Sequence, residues 1–410
     1  MSNNKGSNRF FKDKKHIISV IAVIVVVFFI LLMVRMAWSI KNANNVLNSV
    51  NGQLNESAAM ITELDTKVKS LEELNRSLEE ENEALKQENA ALKTGPIGFY
   101  QKLKSGRDVN ILVVGDSIGG GAGSTEGNSW DVLLKEWIEG TYYCKCNLTN
   151  ISLGGNTSYA GYVSEMLLND DTEYDLAVIC YGENDGTSGF AREYEAIIRG
   201  LNRKYKNCAL ISILESSQKT YTRKIQDIIS LAEYYDYPVA DTIEAYERSG
   251  KSFEDLCVDD KHPNDEGYRL YFETISGIIS EKCEAYEEHE TKDTAPYDEA
   301  VTEYDTFYYI AASDCVRSDE RTWDIDFNGK LSGKLGIDHE LLPGGGELSV
   351  YADGELVAEE TYEWDYDYPL KAIHKIDDEV CNVNENMRLE FSSREMADAF
   401  KGLIFTGTDY

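Results

Sequence analysis

Apolar residues cluster near the N-terminus of the chain. Residues 17–34 (IISVIAVIVVVFFILLMV) carry no charge, and Met36, Ala37 and Trp38 extend the run past one arginine. Because about 20 apolar residues span a bilayer, the pattern predicts a transmembrane helix over 16–38. The alternative is a cleaved secretory signal, but its apolar region has only roughly 7 to 15 residues and ends at a small-residue cleavage site, which is missing here.

A seven-residue repeat then predicts a parallel coiled coil over 41–93. Its a and d positions are Leu47, Val50, Leu54, Ser57, Ile61, Leu64, Val68, Leu71, Asn75, Leu78, Asn82, Leu85, Asn89 and Leu92. Asparagines at a positions pair best with each other across a parallel dimer. We therefore expect a homodimer, because the alternative, a single solvated helix, leaves the leucine stripe exposed to water.

Between residues 97 and 287, short apolar runs alternate with amphipathic stretches. The apolar runs cover 111–114, 148–153, 176–180, 209–214 and 239–240, and the amphipathic stretches include 130–138, 194–205, 221–235 and 264–286. Strands that alternate with helices build a parallel sheet covered on both faces. This segment is therefore predicted to be an α/β domain.

The last segment, 296–410, has a different pattern of short β-like runs. They cover 307–311, 322–327, 348–352, 356–358 and 388–391, with turn signals such as Asn-Gly and Asp-Gly between them. The pattern predicts a small β-sandwich. Tyr362, Trp364, Tyr366 and Tyr368 recur at every second position, so a strand would place them on one face. They are expected either to pack in the sandwich core or to form a sugar-stacking platform, and the sequence leaves both open.

The charge of the chain and its distribution indicate which partners and which membrane orientation to expect. The formal net charge of -33 makes nucleic acid an unfavourable partner. Five basic residues lie in the tail 1–15, whereas only Arg35 and Lys41 follow the apolar run closely. The positive-inside rule therefore predicts a cytoplasmic N-terminal tail and places everything after Ile40 outside the cell.

The cysteines fit that setting. All eight lie between Cys144 and Cys381, beyond the apolar run, where disulfides are permitted. Cys180 and Cys208 are expected to be small core residues, and Cys315 is a candidate to pair with Cys381. Since no group of cysteines and histidines has the spacing of a zinc site, no metal is expected.

The candidate chemistry begins at VVGDSIGGGAG (113–123), where GDSIG fits the G-x-S-x-G pattern of a nucleophile elbow and presents Ser117. An activated serine needs a base, and the α/β domain has one histidine, His262, with Asp259 three residues before it. That spacing lets the carboxylate bind Nδ1 while Nε2 faces the serine. Asp260 is an alternative orienter for the ring.

Two folds use such a triad. In an α/β-hydrolase, the elbow serine lies well into the sheet, and the acid and histidine sit on separate loops. Here Ser117 follows the first predicted strand of the domain, and Asp259 is close to His262. The order of the three residues is shared with the α/β-hydrolases, but the spacing is not.

These residues resemble the SGNH (GDSL-like) hydrolase family of serine esterases. The four blocks of that family occur in order: Gly115-Asp116-Ser117 as GDS, Gly155 in NISLGGNTS, Gly182 and Asn184 in the GxND block YGENDG, and Asp259 with His262 as DxxH. The departure from the family is the glycine-rich stretch 118–123, where a mobile loop is expected.

The resemblance implies a flavodoxin-like three-layer α/β/α fold and a Ser117, His262 and Asp259 triad. It further implies an oxyanion held by the N–H groups of Ser117 and Gly155 and by the side chain of Asn184, with no cofactor. Asp116 and Glu183 are expected to have structural roles in turns.

An extracellular domain of this kind, followed by a β-module, resembles bacterial carbohydrate esterases. We therefore expect a membrane-anchored serine esterase that removes O-acetyl groups from an acylated polysaccharide. Three alternatives remain open: a lipase or thioesterase, an O-acyltransferase that uses the same triad, and a non-catalytic surface binding protein built on a hydrolase scaffold.

Overall fold

The structure is a computed structural model, and it divides the chain into two compact units, Met1–Ile97 and Gly98–Tyr410. It describes residues 23–28, 30–31, 60–71, 73–78, 82, 97–285, 295–327 and 329–407.

The described residues of the N-terminal unit up to residue 82 are helical. The described part of the chain contains no helix that is long and apolar enough to cross a bilayer, and most of the predicted transmembrane segment, 16–38, lies outside that part. Of the predicted coiled coil, 60–71, 73–78 and 82 are described, and Ile61 and Val68 at its a positions are 56% and 43% exposed. The transmembrane helix and the dimer therefore stay predictions.

The second unit begins with a five-stranded parallel sheet of strand order β2-β1-β3-β4-β5. The strands are β1 (Val109–Gly115), β2 (Cys146–Asn150), β3 (Leu176–Cys180), β4 (Ala209–Leu214) and β5 (Val239–Asp241). This is the flavodoxin-like order that the resemblance to the SGNH family implies. Its topological switch lies between β1 and β3, where a cleft for ligands opens at the carboxyl ends of the strands.

Helices cover both faces of this sheet. They are α1 (Phe99–Lys104), α2 (Trp130–Tyr142), α3 (Ser158–Leu167), α4 (Phe190–Lys204), α5 (Arg223–Tyr235), α6 (Thr242–Ser249), α7 (Phe253–Leu256) and α8 (Asp265–Ala285), with a 3₁₀ turn at Ser216–Gln218. Alternate residues of β1 enter different cores: Leu112 packs with helices α3 to α5, and Val113 packs with α1, α2 and α8. Burial on both faces explains why these strands appear in the sequence as continuous apolar runs.

The C-terminal region consists of two antiparallel sheets, of order β11-β10-β13-β8-β7 and β12-β9-β14-β6. The strands are β6 (Phe307–Ala311), β7 (Val316–Arg317), β8 (Thr322–Asp326), β9 (Leu331–Leu341), β10 (Gly346–Ala352), β11 (Glu355–Tyr362), β12 (Leu370–Val383), β13 (Asn386–Phe391) and β14 (Gly402–Thr406), with helix α9 at Arg394–Ala399 and 3₁₀ turns at Glu299–Asp305 and Ala312–Asp314. Residues of both sheets share one core, so the two sheets form the predicted sandwich.

Part of the four-stranded sheet is buried on both faces. Ile337 and Leu403 point into the sandwich core, whereas Ile373 and Ile404 join the core of the α/β domain. The α/β domain and the sandwich therefore pack against each other through this sheet. Burial on both faces also hides β9, β12 and β14 from the sequence pattern, because their side chains do not alternate between apolar and polar.

The four aromatic residues do not share a strand face. Tyr362 ends β11 and is buried, with ring centroids 4.7 Å from His339 and 5.2 Å from His374. The other three lie in the following loop, 363–369, which we call the aromatic loop. Their ring centroids are 4.6 to 5.9 Å apart, and Tyr366 and Tyr368 are at least half exposed. Tyr362 thus packs in the sandwich core, and the sugar-stacking role stays a prediction for the other three.

The structure contains no disulfide among the eight cysteines, all of which lie in described parts of the chain. Cys180 and Cys208 are buried in the α/β core as expected. Cys315 and Cys381 are both free thiols, so their pairing is wrong for this structure.

Candidate active site

Ser117 lies just beyond the carboxyl end of β1, at the edge of the parallel sheet. Here the chain turns sharply, and the buried Asp116 carboxylate accepts a hydrogen bond from the Ile118 N–H at 2.8 Å. This is the turn role expected for Asp116. The turn is so tight that a Cβ on Gly119 would lie 2.8 Å from the Cα of Gly115. Close backbone packing therefore explains part of the glycine-rich stretch.

The histidine loop, residues 257–264, brings a base to the serine. His262 Nε2 lies 2.9 Å from Ser117 Oγ, and His262 Nδ1 lies 2.8 Å from Asp259 Oδ2. Asp259 Oδ1 also accepts hydrogen bonds from the backbone N–H groups of Lys261 and His262, at 2.9 and 2.7 Å. One carboxylate thus folds the loop and orients the ring. Asp260, the alternative orienter, is exposed.

The electrostatics favour a charged Asp259. Partial burial pushes the pKa of its carboxyl group upward, but the hydrogen bonds from the His262 backbone and ring and from the Lys261 backbone outweigh burial, and the pKa falls to about 2. The carboxylate is therefore ionised at neutral pH, as the stabilisation of a nearby imidazolium requires.

Glycine also allows the nucleophile loop, residues 116–125, to contact the histidine loop. Gly123 has a φ of +97°, and a Cβ there would lie 2.5 Å from the carbonyl oxygen of Pro263 and 3.1 Å from His262 Cβ. Two residues of α8, the helix that follows the histidine loop, form hydrogen bonds with the nucleophile loop. Asp265 accepts hydrogen bonds from the Thr125 N–H and hydroxyl, both at 2.6 Å, and the buried Tyr268 hydroxyl donates to Ala122 O at 2.7 Å. The predicted mobile loop is thus hydrogen-bonded at several points.

The oxyanion loop, residues 153–157, passes beside the nucleophile. A Cβ built on Gly154 would be 3.5 Å from Ser117 Cβ, and Gly155 adopts a φ of +71°. The Asn184 amide donates to the backbone oxygen of Asn156 at 3.1 Å and to Asp116 Oδ2 at 3.3 Å. The structure therefore gathers the Gly154–Gly155 backbone and the Asn184 side chain around Ser117.

Glu183 lies in the GxND block and also contacts the histidine loop, so its role extends beyond its own turn. Its carboxylate lies 3.3 Å from Lys261 Nζ in the histidine loop, and it accepts a hydrogen bond from Gln218 Nε2 at 3.1 Å. Beneath the site, burial raises the pKa of both Asp116 and Glu215; the charge of Asp185 raises the pKa of Asp116 further, and the charge of Asp116 raises that of Glu215. Among the described residues, no group of three or more His, Cys, Asp or Glu side chains could hold a metal ion.

Sequence reasoning gave no role to several residues that build this site. Asn156 and Tyr268 hold its loops, and Leu370, the first residue of β12, lies so close to Gly155 that a Cβ on the glycine would be 2.9 Å from Leu370 Cδ2. The one signal in the sequence for any of these residues was that Asn156 directly follows Gly155, the glycine of the second block. Nothing in the sequence indicated that β12, some 215 residues further along the chain, would reach the site.

Comparisons with known proteins agree with this arrangement. Two crystal structures of a two-domain esterase active on acetylated mannans, one of them co-crystallised with mannopentaose, share the fold. They are 18% and 19% identical to this chain, with TM-scores of 0.59 and 0.58; both cover 74% of this chain, which covers 92% and 93% of theirs. No curated protein matches the sequence.

The sequence model of the GDSL-like lipase/acylhydrolase family matches residues 113–270. That range begins in β1 and ends in α8, and it contains Ser117, Gly155, Asn184, Asp259 and His262. The chain therefore carries a domain of the GDSL-like (SGNH) hydrolase family and is an ester-bond hydrolase.

Proposed function

We propose that the protein is a serine esterase that removes O-acetyl groups from a polysaccharide through an acyl-enzyme. The observation that carries this proposal is the continuous chain of contacts from Ser117 Oγ to His262 Nε2 at 2.9 Å and from His262 Nδ1 to Asp259 Oδ2 at 2.8 Å. A base and its orienter at these distances can activate a serine hydroxyl.

The proposed reaction has two halves. Ser117 Oγ attacks the ester carbonyl while His262 accepts its proton, and the tetrahedral intermediate expels the sugar hydroxyl, which receives that proton back from His262. Water then attacks the acetyl-serine by the same route and releases acetate. The Ser117 and Gly155 N–H groups and the Asn184 amide stabilise the oxyanion, each worth on the order of 10²- to 10³-fold in rate.

A carbohydrate substrate has two independent supports. The two-domain esterase of similar fold acts on acetylated mannans, and this chain presents a cluster of Trp364, Tyr366 and Tyr368 in which both tyrosines are at least half exposed. The aromatic loop ends one residue before Leu370, whose side chain contacts Gly155. A glycan whose acetyl group enters the site can therefore extend over these rings.

We further propose that the enzyme is anchored in a membrane with its catalytic domain outside the cell, and that it dimerises through the coiled coil. The uncharged run 17–34 supports the anchor. The exposed apolar a and d residues Ile61, Val68 and Leu71 on the described helix support the dimer. Fractionation with protease protection would test the anchor. Deletion of residues 41–93 should produce a monomer, and a protein that stays dimeric would contradict the coiled-coil assignment.

The central experiment supplies the residue 97–410 portion with acetylated mannan, acetylated xylan and phospholipid vesicles in parallel and identifies the released acid. Acetate from a glycan is the expected product, and Ser117→Ala should abolish its release, whereas Ser230→Ala, on the exposed side of α5, should not. Fatty acid from the vesicles alone would favour a lipase. Transfer of acetate to an added sugar without free acetate would favour an acyltransferase.

A further inference from the structure

The oxyanion loop is held by the sandwich as well as by the α/β domain. Asn156 is buried, and each polar atom of its amide has a partner. Its Nδ2 group donates to Gly154 O at 2.9 Å and to Lys371 O at 2.8 Å, and its Oδ1 accepts from the Ile373 N–H at 2.8 Å. Two of these three bonds reach β12, and the third fixes the backbone next to Ser117.

The Asn156 amide takes the place that a further strand would have beside β12. β12 is the edge strand of its sheet, and its partner β9 lies on one side only. In an antiparallel strand, the N–H and C=O groups of every second residue point to the same side, so Lys371 O and Ile373 N both face the free edge. The Asn156 amide donates to one and accepts from the other, as the peptide group of a neighbouring strand would.

Asn156 also supports the amide expected at the oxyanion. Its backbone oxygen accepts a hydrogen bond from Asn184 Nδ2 at 3.1 Å. One residue therefore connects three parts of the molecule: the edge of β12, the backbone at Gly154, and the side chain of Asn184.

A second polar connection runs through the same region. Lys375 of β12 forms a largely buried ion pair with Glu193 of α4 at 2.6 Å. Glu193 lies 3.3 Å from the Ser158 hydroxyl, and Ser158, which begins α3 directly after the oxyanion loop, donates from its N–H and hydroxyl to Asp185 at 2.8 and 2.6 Å. Asp185 follows Asn184 directly. The sandwich thus contacts both sides of the oxyanion loop.

We propose that Asn156 is a positioning residue that makes the C-terminal sandwich a working part of the oxyanion site. This inference rests on the proposed esterase function. Without the Asn156 side chain, the Gly154–Gly155 backbone and the Asn184 amide lose their alignment with Ser117, although the triad itself remains. Since a misplacement of about 1 Å can cost on the order of 10²-fold in rate, the loss is expected in kcat.

The test measures hydrolysis of a small aryl acetate, which carries no sugar ring to stack on the aromatic loop. Asn156→Ala should lower kcat roughly ten- to hundredfold with KM changed less than threefold. Asn156→Asp keeps the side-chain size and the acceptor for Ile373 but removes both donors, so it should also lose more than tenfold. The matched control is Arg203→Ala, which breaks an ion pair between α4 and Asp305 away from the oxyanion loop and should keep wild-type kcat.

A double-mutant cycle separates positioning from general destabilisation. If Asn156 acts partly through Asn184, the Asn156→Ala, Asn184→Ala double variant should lose less than the product of the two single losses. Multiplicative losses, an unchanged kcat in Asn156→Ala, or an equal loss in Arg203→Ala would overturn the inference. A wild-type protein that hydrolyses no ester would instead refute the proposed function.

Discussion

The ring of His262 reaches the hydroxyl of Ser117 at 2.9 Å across 145 residues of sequence, and the Asp259 carboxylate three residues before it holds the far side of that ring at 2.8 Å. The orientation of the imidazole therefore depends on one exposed loop whose fold is set by the same carboxylate.

Replacement of that carboxylate by an amide gives the first prediction. Asp259→Asn retains an oxygen for the two backbone N–H groups but cannot hold an imidazolium, so kcat for acetyl ester hydrolysis should fall on the order of 10⁴-fold while circular dichroism stays unchanged. Asp260→Asn is the matched control, because Asp260 is adjacent and exposed. A larger loss in the control would make Asp260 the orienter.

The contact between the nucleophile and histidine loops gives the second prediction. Gly123→Ala should lower kcat at least roughly tenfold, because a Cβ there would lie 2.5 Å from Pro263 O and displace His262. Gly127→Ala carries a similar positive φ of +84° but meets no atom within 4 Å. It therefore measures the backbone strain alone, and steady-state kinetics on both variants should show the loss in the first only.

These two predictions show what the sequence could and could not reveal. The blocks around Ser117, Asn184 and His262 are short, and each carries its chemistry in adjacent residues. Motif and spacing therefore indicated Ser117, Asp259 and His262, and the resemblance to the SGNH family implied the role of Asn184. Gly123 is required because a Cβ there would meet Pro263 O in the histidine loop. Pro263 is distant in the sequence, so no local pattern around residue 123 indicates this requirement. Asn156 lies in the block of Gly155, yet two of the three hydrogen-bond partners of its amide belong to β12, a strand that the sequence pattern does not predict.

The same reasoning applies to the fold. β1 and β3 appear in the sequence as continuous apolar runs because helices cover both their faces. Parts of β9 and β12 are also covered on both faces, but these strands bury Asp338 and His339 or carry a bulge between Lys375 and Val380. Asp338 Oδ2 accepts a hydrogen bond from the Tyr309 hydroxyl of β6 at 3.1 Å, and the His339 ring packs against Tyr362 and His374. These partners come from other strands, so a pattern based on apolar periodicity cannot include them.

The third prediction concerns the aromatic loop. Tyr366 is 57% exposed and its ring packs beside Trp364. Tyr366→Ala should raise KM for an acetylated oligosaccharide roughly five- to tenfold, since stacking of a sugar face buries enough apolar area for about 1 kcal/mol, and should leave KM for an aryl acetate unchanged. Tyr366→Phe keeps the ring and should behave as wild type. An equal effect of both variants on the glycan would exclude stacking as the cause.

The fourth prediction concerns the pH dependence of stability. Glu165 of α3 is buried, burial raises the pKa of its carboxyl group to about 7, and Lys204 and Arg203 lower it only partly. Its pKa in the unfolded chain is near 4.5, so between these values the folded state holds a proton that the unfolded state has released. The contribution of Glu165 to stability therefore falls as pH rises from about 4.5 to 7 and stays low above that.

Glu165→Gln removes this titration. The stability of the variant relative to wild type should rise by up to about 3 kcal/mol between pH 4.5 and pH 8, measured as the free energy of unfolding in urea at each pH. Glu233→Gln, on the exposed surface of α5, is the control and should give a constant difference. A relative stability of Glu165→Gln that does not change with pH would mean that the carboxyl group is already ionised in the folded protein.

The covered edge of β12 has a consequence for how this protein behaves when crowded with copies of itself. An open strand edge invites another molecule to add a strand, which leads to aggregation. Here the side-chain amide of Asn156 hydrogen-bonds the backbone groups of residues 371 and 373 at this edge. The bulge after Lys375 interrupts regular strand pairing beyond them. The Asn156 side chain, which aligns the oxyanion loop beside Ser117, thus also blocks edge-to-edge association between copies of the protein.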